Sequence, residues 1–129
     1  MAAAAPERET VPQAAPSPPR TGASEQDRIR DTVRRYERAQ STLDPDLYVR
    51  VFPAVDRARV AQAFENFRSQ TVEFDVRLIQ VDPGGTHAEV SGYEKRIAMP
   101  RAGSEQRISA ERVMRLEKRG ENWVIVELK

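Results

Sequence analysis

The sequence predicts an α+β domain in which three N-terminal helices pack on a bent four-stranded antiparallel sheet. Two periodicities and one set of breaks predict it. Helical spacing of apolar residues runs through positions 24–67, and alternation runs through positions 71–129. Turn signals such as Asp82-Pro83-Gly84-Gly85 and Arg119-Gly120-Glu121-Asn122 divide the alternating part. Helices first and strands after is the order of a segregated α+β architecture.

The first 23 residues contain five of the nine prolines and seven alanines. Such a stretch buries too little apolar surface to offset ordering, so residues 1–23 are expected to be a Pro/Ala-rich linker. The expected domain is therefore residues 24–129, descended from or excised from a larger protein. Within it, Ser24 with Asp27 three residues on reads as a capping box for the first helix. Ile29, Val33, Tyr36, Gln40 and Leu43 form its apolar stripe. Asp44-Pro45 starts a second, short helix that Pro53 ends. Asp56 caps a third over residues 57–69, with Val60, Phe64 and Phe67 on one face.

Strands follow. Val72, Phe74 and Val76 alternate, then the phase slips to Ile79 and Val81, which predicts a bulge. Residues 87–99 make the second strand, with Gly92 as a kink point. A loop at 100–106 leads to a terminal hairpin that carries the only tryptophan, Trp123.

Composition excludes several function classes. The 21 basic and 20 acidic residues are well mixed, leaving a net charge of +1 and no basic stripe for nucleic acid. Without cysteine there is neither a disulfide nor a thiolate zinc site. One histidine, His87, removes most imidazole metal sites, so no metal and no cofactor are expected. No apolar run approaches the ~18 residues of a membrane span. The start lacks the apolar centre of a secretory signal. A soluble domain is expected, in cytoplasm or periplasm according to the parent protein.

The helix–helix–helix–four-strand order, the segment Glu37–Pro53 and the closing Gly120–Leu128 strand resemble the nuclear transport factor two-like superfamily, which includes ketosteroid isomerases and polyketide cyclase-like proteins. The Ser41–Asp44 step, Phe52-Pro53, the Ala63–Phe74 run and the final Trp123-Val124-Ile125 are similar to a terminal domain tethered by Pro-rich linkers to bacterial signalling proteins, serine/threonine kinases among them. The resemblance implies a cone-shaped fold with a pocket, and homodimers formed through the outer sheet face.

Simple hairpin registers place residues in rows. Centring the 100–106 loop on Gly103 and the last turn on Gly120-Glu121 sets Val90, Leu116 and Ile125 in one core row. The same face continues through Gly92, Met114 and Glu127 to Glu94 opposite Arg112. Charges on a helix-facing surface are costly unless they serve a purpose. Tyr36, Glu94, Arg112 and Glu127, with Arg96 nearby, are thus expected at the pocket mouth, binding a small polar or anionic ligand. The plainer alternative is a solvated, salt-bridged sheet end. On the other face, Tyr93, Val113, Val124, Val126 and Leu128 form an apolar strip expected to hold a homodimer contact.

No catalytic residue is recognised. An isomerase of the ketosteroid type needs a carboxylate base and neutral donors in an apolar pocket, and Glu94 and Glu127 come instead with Arg112. The expected role is a non-catalytic accessory domain that binds a ligand or dimerises within a bacterial signalling or envelope protein. The alternatives are an isomerase- or cyclase-type enzyme using the cone, and a protein–protein adaptor using the outer face.

Overall fold

The computed structural model describes the backbone of residues 20–129 and the side chains of residues 25–129. Nearly all of the expected linker lies outside the described residues. Helix α1 (Arg20–Ser41) is under way by Arg20, so Ser24 lies inside it and does not cap its start. The cap signal misled because the apolar stripe begins only at Ile29.

Asp44 performs two jobs at the next joint. Its N–H closes α1 by donating to Ala39 O at 3.0 Å, with Leu43 N–H donating to Gln40 O at 3.3 Å. This is a Schellman termination, with Leu43 at φ 55° where glycine is usual. The Asp44 side chain then accepts from the N–H groups of Asp46 and Leu47 and opens α2 (Pro45–Val51). Asp56 caps α3 (Arg57–Glu65) in the same way. That helix stops at Asn66, so Phe67 belongs to the first strand and not to the helical stripe.

The sheet runs β1 (Phe67–Val81), β2 (His87–Pro100), β3 (Gln106–Arg119) and β4 (Asn122–Leu128), antiparallel and in sequential order. Besides an irregularity at Arg68 near the start of β1, two bulges shape it. Val76 pairs with Gly92 and Leu78 with Ser91, which leaves Arg77 as the extra residue at the expected phase slip. Because that bulge is on β1, β2 passes Gly92 without turning Glu94 outward. The second bulge was not foreseen. Leu116 pairs with Ile125 but Arg115 pairs with Glu127, so Val126 is extra and the alternation of the chain end reverses.

Ile29, Val33 and Tyr36 of α1 pack on Val72, Val90, Met114, Leu116, Trp123 and Ile125 from all four strands. Each such fully buried large side chain contributes about 1.5–3 kcal/mol of transfer free energy. Side chains of α1 also close part of the β1 edge. Ser41 Oγ accepts from Val72 N–H at 3.0 Å, and Glu37 Oε2 accepts from Phe74 N–H at 2.6 Å. At the other end, Glu25 pairs with Lys118 at 2.7 Å and Thr32 Oγ1 donates to Trp123 O at 3.0 Å. These contacts fix α1 across the concave face.

The β2–β3 register differs from the simplest one. Glu94 pairs with Ala110, Gly92 with Arg112 and Val90 with Met114. The loop centres on Ala102, one position earlier than Gly103, and every pairing moves by two. A shift of two preserves which face each side chain occupies.

Candidate functional site

The inner face of β2 and β3 leaves the core in steps. Val90 and Met114 are fully buried, and the next rows are Gly92 with Arg112, Glu94 with Ala110 and Arg96 with Ile108. Glu94 remains only 3 % exposed despite its charge. A buried carboxylate is tolerated there because each of its oxygens accepts a hydrogen bond. Tyr36 Oη donates to Glu94 Oε1 at 2.8 Å, and Arg96 Nη2 donates to Oε2 at 3.1 Å.

Those bonds belong to a closed circuit. Arg96 Nη1 donates to Gln70 Oε1 at 3.2 Å, and Gln70 Nε2 donates to Gln40 Oε1 at 3.0 Å. Gln40 Nε2 donates to Tyr36 Oη at 3.4 Å, which passes its own proton toward Glu94. Two arms of donors leave the Arg96 guanidinium and converge on Glu94, one directly and one through Gln70, Gln40 and Tyr36, and the longer arm is complete only while Tyr36 keeps its proton. Burial first, and the Glu94 charge second, push the Tyr36 phenol far above its ordinary range.

Arg112 stands beside the circuit without joining it. Its Nη2 is 3.9 Å from Glu94 Oε2, and its Nε is buried without a hydrogen-bond partner. Two guanidiniums against one carboxylate leave this cluster with one surplus positive charge. Aromatic rings border it. Tyr36 and Tyr48 lie 5.9 Å apart between centroids, and Tyr48 touches Phe52 at 6.1 Å and Phe64 at 5.8 Å. Burial raises the Tyr48 phenol as well, against the opposing influence of Arg96.

No protein-family model matches the sequence, and no curated protein matches it. Solved structures do. A nuclear transport factor 2 (NTF2-like) superfamily protein from Salmonella enterica superposes with a TM-score of 0.69 at 21 % identity, covering 84 % of this chain and 89 % of that one. The chain has the NTF2-like fold. A candidate scytalone dehydratase from Novosphingobium aromaticivorans matches at TM-score 0.69 and 15 % identity, over 86 % of this chain and 85 % of its own. A hexachlorocyclohexane dehydrochlorinase, LinA type 2, matches at TM-score 0.66 and 10 % identity, over 83 % and 84 %. At such identities the likeness carries the NTF2-like fold alone.

Within this NTF2-like fold Tyr36, Glu94 and Arg112 lie together, with Arg96. Glu127 does not join them. The bulge at Val126 turns it to the opposite face, where its carboxylate lies 3.4 Å from Arg115 Nη1. The same reversal changes the outer strip. Leu128 points inward opposite Met114 and packs against the core, and Val124 is buried. Tyr93, Val113 and Val126 stay half-buried, with Arg77 over the Tyr93 ring at 5.7 Å. His87 is exposed at the turn, and no group of metal-ligating side chains occurs among the described residues.

Gln40 and Gln70 are members of the candidate site that sequence reasoning missed. Gln40 did carry a signal, a polar amide on an otherwise apolar helical stripe. Gln70 carried none while residues 67–70 were assigned to a helix and a loop. Read as strand, the alternation Gln70, Val72, Phe74 puts it on the inner face.

Proposed function

We propose that this domain is a non-catalytic binding module for a small anionic ligand, held at Arg112 beside the Tyr36–Glu94–Arg96 circuit. One observation carries the reading: Arg112 Nε is buried without a hydrogen-bond partner, one of two such side-chain atoms among the described residues, the other being Trp123 Nε1. An unpaired buried donor costs about 1–3 kcal/mol, which a bound anion would return. Arg96 and Gln70 hold Glu94 in place, so the surplus charge is Arg112's to offer. The resemblance of Ser41–Asp44, Phe52-Pro53 and Trp123–Ile125 to linker-tethered signalling modules supports an accessory role in a larger protein.

The test is titration with acetate, inorganic phosphate and the neutral amide acetamide, following the Arg112 Nε–H resonance. The anion should shift that resonance and acetamide should not. Arg112→Gln should weaken acetate binding roughly 10- to 150-fold, the worth of one charge-assisted hydrogen bond. Equal binding by Arg112→Gln, or none by wild type, would sink the proposal.

A second reading is an enzyme, favoured by the 2.8 Å Tyr36–Glu94 hydrogen bond in a buried site. Two of the similar structures bear dehydratase or dehydrochlorinase names. On that reading Glu94 would take a proton from substrate once Tyr36 moved to the substrate oxygen. Glu94→Gln would then abolish turnover of a dehydratable substrate while leaving anion binding at Arg112 in place.

A further inference from the structure

The inner face of β3 does not end at Arg112. Two residues on lies Ala110, and two beyond it Ile108, opposite Arg96 on the same side of the sheet. Ile108 is 50 % exposed, whereas Val90, Met114 and Leu116 on the inner face are buried. A single exposed isoleucine is ordinary. One placed on the concave face, four residues along the strand from a half-buried guanidinium with an unpartnered nitrogen, forms an apolar track leading away from a charged anchor. At about 3.4 Å per residue that track is roughly 13 Å long. On its inner side it meets the row of Glu94 and Ala110, where the only surplus charge is the single positive one at the arginines.

We propose that the ligand is an amphipathic monocarboxylic acid, its carboxylate on Arg112 and its apolar tail laid over Ala110 and Ile108. This rests on the anion-binding reading above and narrows it. Charge complementarity selects the head group. One surplus charge matches a monoanion, whereas a phosphate dianion would leave half of its charge unmatched in a half-buried setting. The apolar track selects the tail, since each methylene removed from water contributes about 0.8 kcal/mol, or about fourfold in affinity. Tyr48, in tilted and edge-on contact with the Tyr36, Phe52 and Phe64 rings, adds apolar ring surface to the border of the charged cluster.

The experiment is calorimetric titration of the full chain with acetate, butanoate, hexanoate and octanoate, with octanamide as the uncharged control. Affinity is expected to rise about fourfold per methylene from butanoate to octanoate. Ile108→Ser should flatten that rise and leave acetate binding unchanged, and Arg112→Gln should weaken every acid. Because Ile108 is half-exposed, the serine variant is expected to melt with wild type, which separates lost binding from lost folding. Equal affinity across the series would overturn the amphipathic ligand while leaving the anion site standing. Failure of all four acids would remove both. Octanamide binding as tightly as octanoate would also overturn the proposal. So would a change in sedimentation on Ile108→Ser, since it would make the track a contact between copies of the chain.

Discussion

Phe74 occupies the space that a side chain at position 92 would need. A Cβ built on Gly92 would press into the Phe74 ring and the carbonyl oxygen of Asp75. The glycine therefore serves a close approach between β1 and β2, directly opposite the bulge at Arg77, and keeps β2 straight into Glu94. Gly92→Ala should cost about 1–3 kcal/mol by overpacking, read as a lower urea midpoint. Adding Phe74→Leu should recover only part of the loss, because the Asp75 oxygen belongs to the backbone and cannot swing away.

Removing one hydroxyl tests the closed circuit. Tyr36→Phe leaves Glu94 Oε1 and Gln40 Nε2 without their shared partner in a buried site. We expect a loss of about 1–3 kcal/mol in chemical denaturation. Glu127→Gln, at an exposed pair with Arg115, should stay within about 0.5 kcal/mol of wild type. Equal effects of the two substitutions would contradict the placement of Glu127 on the far face.

The same tyrosine predicts an alkaline limb. Its folded-state value is raised, so above about pH 10 the unfolded chain has released a proton that the folded chain still holds. Fewer protons on the unfolded state means that stability falls as pH rises. The contribution is complete below pH 10 and is lost as pH climbs through the higher folded value. Urea titrations between pH 8 and pH 11 should show wild type weakening more steeply than Tyr36→Phe, and matching slopes would rule the mechanism out.

Much of this fold can be read from periodicity, because a face assignment needs only parity. The β2–β3 register expected from Gly103 was off by two, yet Tyr36, Glu94 and Arg112 still share a face, since an even shift moves residues along a strand without turning them over. Glu127 and Leu128 show the limit. One extra residue at Val126 inverts both, and the unbroken apolar run Trp123–Val126 carries no phase that could announce it. The bulge at Arg77 was visible only because the apolar phase itself slipped between Val76 and Ile79. Gln70 illustrates a different loss: an amide at a helix-to-strand junction has no periodic neighbours until the boundary at Asn66 is known.

The α1–α2 joint offers a sharper stability test. Leu43 holds a left-handed conformation that costs a β-branched side chain more than an unbranched one. Leu43→Ile keeps volume and polarity and should destabilise by about 1 kcal/mol, whereas Leu43→Gly should cost less because it relieves the backbone. A neutral Leu43→Ile measured by thermal melting would place the joint in another conformation.

Ser41 and Glu37 occupy backbone donors along β1 that an open edge would offer to a neighbouring chain. Aggregation by strand addition over Val72–Phe74 must therefore wait until α1 lifts from the sheet. The barrier to that misassembly becomes the free energy of detaching a helix whose adjoining face carries Ile29, Val33 and Tyr36 in the core. Two side chains thus tie resistance to fibre growth at this edge to the integrity of the domain, so a substitution such as Glu37→Ala can raise aggregation without touching the apolar core.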